Sequence, residues 1–282
     1  MNKARFIPVI LFVVCGLISG LFWFYQNPKS ASFSLSSFNV SYILGPQDQD
    51  LSRETANFVA KLREYTSTLD GIYAVSIYRL GEGVGYGLNE NINMPAASFM
   101  KVPILIEAFE NGLHKEHEDL FIAIGKYSDN DAPVTLADLV GRGNIETKLK
   151  QMGMKNSSFS ENTTTARDVA MMWREVYKIP ELWPYLEDSI FEDRIRPALP
   201  DNITFIHKIA NNDQMWADSG IVKCSNDKCL NSPLVLVIMN KDVDFDEANT
   251  ALQQIAKKVW DYESERAKRL QSPQPSPTPE SK

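Results

Sequence analysis

The chain has 282 residues, 44% of them hydrophobic and 23% charged, with a net charge of -7 and a pI near 5.1. That acidic balance argues against a sequence-independent nucleic-acid binder, which presents a basic face to phosphates. The apolar fraction is sufficient for one core of about 220 residues once the two ends are set aside, and no second domain is required.

From Phe6 to Tyr25 the sequence carries no charge, and Lys3 and Arg5 precede it. A helix of that length crosses the hydrocarbon layer, with its positive end on the cytoplasmic side. A cleaved signal peptide is the competing reading, but its apolar part is usually shorter and ends at a small-x-small site, for which Ser30-Ala31-Ser32 is a poor candidate. Val14 is too bulky for lipid processing at Cys15, which is read as a membrane-facing side chain. The sequence therefore predicts an uncleaved anchor over 1–25 and a Ser/Asn/Gln-rich tether over 26–50. The folded domain is expected over 51–269, and a Pro-rich tail with no regular structure over 270–282.

Leu51, Phe58, Val59, Leu62 and Tyr65 share one helical face at the start of the domain. Ala248, Leu252, Ile255, Ala256 and Val259 do the same at its end. Between them, IYAVSIYRL and GVGYGLNE read as strands joined at Gly81-Glu82-Gly83, and TFIHKIA, MWADSGIVKC and PLVLVIM as three more. No helix follows the glycines at 81, 83, 85 and 87, so they form a hairpin and not a phosphate loop. The segment from about Pro103 to Pro200 is mostly helical; Val169, Met172, Trp173 and Val176 share a face after the N-cap hydroxyls of Thr163-Thr164-Thr165. The expected fold is α/β: an antiparallel five-stranded sheet flanked by terminal helices, with an inserted all-α subdomain.

His114 and His117 lack a third ligand in the polar HKEHED and are read as a solvated helix start. Cys224 and Cys229 flank SNDK, where a tight turn brings them together; an exported domain permits a disulfide there.

The stretch PAASFMKVPIL sets Ser98 and Lys101 three residues apart on one helical face, with Ser98 near the helix N-terminus, where developing negative charge is favoured. A lysine removes a serine proton only if burial or a nearby cation lowers its pKa, and the apolar VPILI supplies burial. Serine is equally a common N-cap and lysine a common surface residue, so the pair is weak evidence alone. Tyr127-Ser128-Asp129-Asn130 adds a hydroxyl able to pass a proton and an amide able to hold a carbonyl. His207-Lys208-Ile209-Ala210 lies on a strand.

In this order the three segments resemble the SxxK, SDN and KTG motifs of the class A β-lactamase and penicillin-binding protein family, and the likeness extends over nearly the whole folded part. The resemblance implies a bacterial membrane location with an extracytoplasmic domain, and an acyl-enzyme formed with a β-lactam or a cell-wall peptide. No cofactor or metal is implied. It also implies Ser98 as nucleophile, Lys101 as general base or relay and Ser128 as proton shuttle. Asn130 would contact the substrate amide, Lys208 would anchor a carboxylate, and the backbone N–H groups of Ser98 and Asn211 would form the oxyanion site. Asp129 is expected to be structural.

Three departures qualify this. Ile209-Ala210 replaces the threonine and glycine of KTG. Only MKNSSFSEN lies between Gly153 and Thr163, where β-lactamases carry a longer loop whose glutamate activates the deacylating water, and Glu161, its one acid, is expected to serve the following helix start. The stretch from SFMK to SDN is also short, which implies an open cleft. The leading expectation is an acyl-transfer enzyme with weak deacylation; the alternative is a degraded envelope binding module that keeps the cleft without turnover.

Overall fold

The computed structural model describes residues 49–225 and 229–272. The expected anchor, most of the tether and nearly all of the Pro-rich tail lie outside them. Among the described residues no helix is long and apolar enough to cross a membrane.

Helix α1 (Gln49–Thr66) leads into β1 (Ile72–Arg79) and β2 (Val84–Leu88), followed by a two-residue strand β3 (Met94–Pro95). The helical segment comprises α2 (Lys101–Glu110), α3 (Glu118–Tyr127), α4 (Ala132–Val140) and α5 (Arg142–Gln151). After the short strand β4 (Thr163–Thr164) come α6 (Ala166–Tyr177) and α7 (Trp183–Glu187). Three long strands, β5 (Ile203–Asn212), β6 (Met215–Cys224) and β7 (Leu234–Lys241), precede the closing helix α8 (Phe245–Gln271).

The main sheet has the order β2-β1-β7-β6-β5, and every neighbouring pair is antiparallel. The chain is thus an α/β protein with the expected five strands. Its central strands are buried along nearly their whole length, because both faces are covered, and this explains apolar runs in place of strict alternation. On one face Phe58, Val59 and Leu62 of α1 pack with Leu252, Ile255, Ala256 and Val259 of α8. On the other, Val169, Met172, Trp173 and Val176 of α6 are fully buried in a second core shared with α2 to α5.

The details follow local chemistry. Thr165 Oγ1 accepts the Asp168 N–H at 3.2 Å and caps α6, as the threonine run predicts. Glu82 N–H and Gly83 N–H both bond to Arg79 O in the β1–β2 hairpin. Gly83 has φ +71°, a left-handed conformation glycine adopts at little cost. Cys224 and Cys229 form a disulfide. His114 departs from the solvated reading: its ring stacks on Phe109 at 4.0 Å, so the Phe109 ring partly shields it from water. Among the described residues no group of three or more His, Cys, Asp or Glu is placed to hold a metal.

Two features position the site. The short β3–β4 ladder pairs Met94 with Thr164 and Pro95 with Thr163, so the segment entering SFMK is tied to the segment entering α6. At Gly125 in α3, a Cβ would lie 1.7 Å from the Tyr185 carbonyl oxygen. Only glycine permits α7 to approach so closely, three residues before Ser128, where α3 is capped.

Candidate active site

SFMK does not form one continuous α-helix. Ala97–Met100 is a 3-10 turn and α2 begins at Lys101. The turn packs against β5, with Phe99 and Met100 buried and Ala96 N–H bonded to Asn162 O at 2.8 Å. Ala97 has φ +45°, a left-handed conformation that costs a non-glycine residue on the order of 1–3 kcal/mol and is found disproportionately at functional sites. Ser98 follows it, half-buried, in the first turn of a helix where N–H groups lack intrahelical partners. Among the described residues its hydroxyl makes no hydrogen bond, to Lys101 or to any other group.

Lys101 is 7% exposed, and its ammonium donates to Ser128 O at 2.6 Å and to Asn130 Oδ1 at 2.7 Å. Ser128 Oγ lies farther away, at 3.5 Å. Burial pushes the Lys101 pKa down to about 8, although the Asp129 carboxylate opposes the shift. Such a lysine is neutral in a useful fraction of molecules near pH 7 to 8, a condition an ordinary surface lysine does not meet. Ser128 ends α3 in a left-handed conformation, φ +53°, which turns the chain and aims both its carbonyl and its hydroxyl into the site.

Lys208 reaches the same hydroxyl from β5, with Nζ 2.6 Å from Ser128 Oγ. It is 1% exposed. Its pKa falls to about 7, first through burial and then through repulsion by Lys101, with Asp218 opposing and Arg194 adding to the shift. Two amines competing for protons thus stand on either side of one serine hydroxyl, and their titrations are coupled.

Asn130 and Asn211 are exposed. Asn211 Oδ1 accepts Arg194 Nη2 at 3.2 Å. Ala210 is fully buried, so its methyl belongs to the core rather than to the path a substrate would take. Asp129 Oδ1 accepts the N–H groups of Asp131 at 2.8 Å and Ala132 at 2.7 Å. These bonds hold its carboxyl below the usual range and give it the structural role expected, though from a partly exposed position.

Motif spacing does not reveal the layer beneath Lys208. Arg194 is buried, donates to Ala210 O at 3.0 Å and Ala217 O at 2.6 Å, and lies 3.7 Å over the Trp216 ring. His207 Nδ1 meets Asp218 Oδ1 at 3.0 Å with both side chains inaccessible. Burial favours the neutral imidazole, but Asp218 and Glu192 together raise the His207 pKa to about 9. Buried charges of this kind are rare without partners. The one hint in the sequence is a polar pair, His207 and Asp218, in strands otherwise made of apolar residues.

The loop over 153–163 differs from the expectation in its acids. Asp168, in the first turn of α6, accepts Asn156 N–H at 2.7 Å and Ser157 Oγ–H at 2.8 Å. Glu146 accepts Ser160 N–H at 2.9 Å. Glu161 is exposed and, among the described residues, its carboxylate takes no hydrogen bond or ion pair. Asp168 therefore supplies the acidic group at the helix start that was expected of Glu161; β4 separates Glu161 from that helix. From this loop Phe159, not a carboxylate, faces the space beside Lys101.

Comparison with known proteins agrees with this architecture. Among solved structures, PBP-A superposes with a TM-score of 0.65 at 17% identity, covering 73% of this chain and 95% of its own. A β-lactamase from Xanthomonas campestris pv. campestris gives 0.63 at 19%, covering 73% and 97%, and the TLA-1 extended-spectrum β-lactamase gives 0.64 at 16%, covering 74% and 98%. At these identities the likeness is one of fold. No curated protein matches by sequence. The family described as the beta-lactamase enzyme family matches residues 111–263, which include Ser128, Asn130 and Lys208 while Ser98 and Lys101 lie just before the matched segment. More than half of the sequence is matched, and the chain belongs to the β-lactamase enzyme family.

Proposed function

We propose that this protein is a serine acyl-transfer hydrolase that opens β-lactam or cell-wall peptide amide bonds through an ester on Ser98 and hydrolyses that ester slowly. The observation that carries this reading is the meeting of Lys101, Ser128, Asn130 and Lys208 from three separate parts of the chain, with Ser98 three residues before Lys101 in the turn that enters α2. Neutral Lys101 takes the Ser98 proton as Oγ attacks the carbonyl carbon, and the N–H groups of Ser98 and Asn211 receive the oxyanion. The C–N bond then breaks, and the departing nitrogen takes the Ser128 hydroxyl proton, which is replaced from Lys101 or Lys208. Protonated Lys208 attracts the substrate carboxylate, and Asn130 holds its amide.

Hydrolysis of the ester requires a water that is positioned and deprotonated. Asp168 is engaged in holding the 153–163 loop, Glu175 pairs with Lys178 and Glu161 is exposed, which favours a slow second step. In this proposal the domain lies outside the membrane, tethered by the segment Phe6–Tyr25. Protease added to intact cells should then degrade it, and protection until lysis would reverse this orientation.

The competing reading, a binding module without turnover, draws on the Ser98 hydroxyl lacking a hydrogen bond to Lys101. Fluorescent penicillin separates the two. Covalent labelling of the intact chain that disappears in Ser98→Ala supports the enzyme, whereas labelling that is absent, or unchanged in Ser98→Ala, contradicts it.

A further inference from the structure

Ala210 and Asn211 share the peptide whose N–H is the second donor of the proposed oxyanion site. That peptide lies on β5, an edge strand of the main sheet, against which the turn carrying Ser98 packs. One side chain grips it at both ends. Arg194 Nη1 donates to Ala210 O at 3.0 Å, and Nη2 donates to Asn211 Oδ1 at 3.2 Å. Nη1 also reaches Ala217 O at 2.6 Å, on the residue that pairs with Ala210 across the β5–β6 ladder.

The guanidinium is held in turn by its surroundings. It lies 3.7 Å over the Trp216 ring. The next residue, Ile195, donates its N–H to Asp218 Oδ2 at 3.2 Å, which ties the arginine segment to β6. Burial lowers the Arg194 pKa to about 10, with Asp218 and Asp193 opposing, so the group is cationic at neutral pH.

We infer that Arg194 is a positioning residue that fixes and polarises the Ala210–Asn211 peptide, so that the Asn211 N–H is set to receive the oxyanion before the acyl donor arrives. The inference rests on the proposed acylation of Ser98. A hydrogen bond accepted by a peptide carbonyl makes the N–H of the same peptide a stronger donor, and a charged partner enlarges the effect. A donor fixed in advance needs no reorganisation when charge develops. Direct contact with a substrate carboxylate does not fit the geometry, because both terminal nitrogens are engaged, an indole covers the guanidinium and the residue is 2% exposed.

The test follows penicillin adduct formation by intact mass over a range of penicillin concentrations, with thermal unfolding as the check on folding. Arg194→Met removes the donors and keeps an apolar stem. It should lower the limiting acylation rate by at least about tenfold, short of the 10²–10³-fold cost of losing an oxyanion donor outright. The half-saturating concentration should stay within about twofold, since the interaction is made to the transition state. Arg194→Lys should recover only part of the rate, because one ammonium does not bracket the peptide as a planar fork does. An unchanged limiting rate, or a loss seen only as weaker binding, would overturn the inference, the second by making Arg194 a carboxylate contact. Should the arginine variants not fold, the exposed Asn211 carries the test. Asn211→Ala removes one grip and should lower the limiting rate, and Asn211→Asp, which keeps an acceptor for Nη2, should lower it less; equal rates in both would overturn the inference.

Amide NMR without substrate separates this from failure of the acylation reading. In Arg194→Met the Asn211 amide proton should move upfield and exchange faster with solvent. A native chain that forms no penicillin adduct rejects the nucleophile, and a moved Asn211 amide then still supports the brace. An unmoved amide overturns the brace whether or not adducts form.

Discussion

The two sides of Lys101 differ in kind. Toward Ser128 and Asn130 the lysine meets oxygen atoms at 2.6 and 2.7 Å, with a second lysine beyond the shared hydroxyl. Toward the 153–163 loop it borders a cavity lined mainly by apolar residues, among them Ile104, Val134, Ala137 and Phe159, together with Arg142. In the proposed function the first side moves a proton between a serine and a departing nitrogen. Among the described residues the lining of the second includes no carboxylate. Acylation and deacylation make separate demands on a site, and the proposed function has this site meet the first set more fully than the second.

The largest test of the polar side removes its amine. Lys101→Ala should slow adduct formation by about 10²–10⁴-fold, the usual range for a general base. Lys101→Arg should not restore it, because a guanidinium does not lose its proton near neutral pH. Stopped-flow or intact-mass kinetics read both, and acylation unaffected by either change would break the comparison at its polar half.

A smaller effect comes from pH. Lys101 must be neutral to act, and its pKa lies near 8, so the acylation rate at saturation should rise about tenfold per unit below that value and level off above it. Lys208 carries the opposite sign. A carboxylate favours its protonated form, and its pKa is near 7, so apparent affinity for a carboxylate-bearing donor should weaken as pH rises past 7. A rate that is flat with pH, or affinity that improves in base, would contradict these placements.

The smallest effect lies away from the site. Reduction of Cys224–Cys229 opens a short loop at the β6–β7 connection, and chain entropy puts its contribution at about 2 kcal/mol. Thermal unfolding should move down accordingly with the acylation rate unchanged. A fall in acylation of tenfold or more on reduction would mean that this end of the sheet is coupled to Lys208.

Much of the architecture was legible because its signals are local. The helical face of Val169, Met172, Trp173 and Val176, the threonine cap before it and the five strand segments depend on residues near one another in sequence, and the structure contains each. SFMK, SDN and the Lys208 strand were legible as motifs. What could not be read was their detailed joining. The Lys101 ammonium turns to the backbone oxygen of Ser128, a contact across 27 positions that no side-chain pattern encodes. The 3-10 turn and the left-handed Ala97 arise because β3, β4 and β5 hold the segment before Ser98. Arg194 looks like an ordinary loop arginine until the fold places it under Ala210 and over Trp216. Glu161 was misread because the short strand β4 between it and α6 leaves no trace in composition.

The central claim is that the site acylates readily and releases its ester slowly. Mass spectrometry of the intact chain after addition of a penicillin measures both steps at once. The account predicts a single adduct equal in mass to the whole β-lactam, absent in Ser98→Ala, that persists through many times its own formation time while hydrolysed product accumulates only weakly after an initial burst. Rapid multiple turnover with no detectable adduct would contradict it and would assign water activation to Glu161 or to another acid.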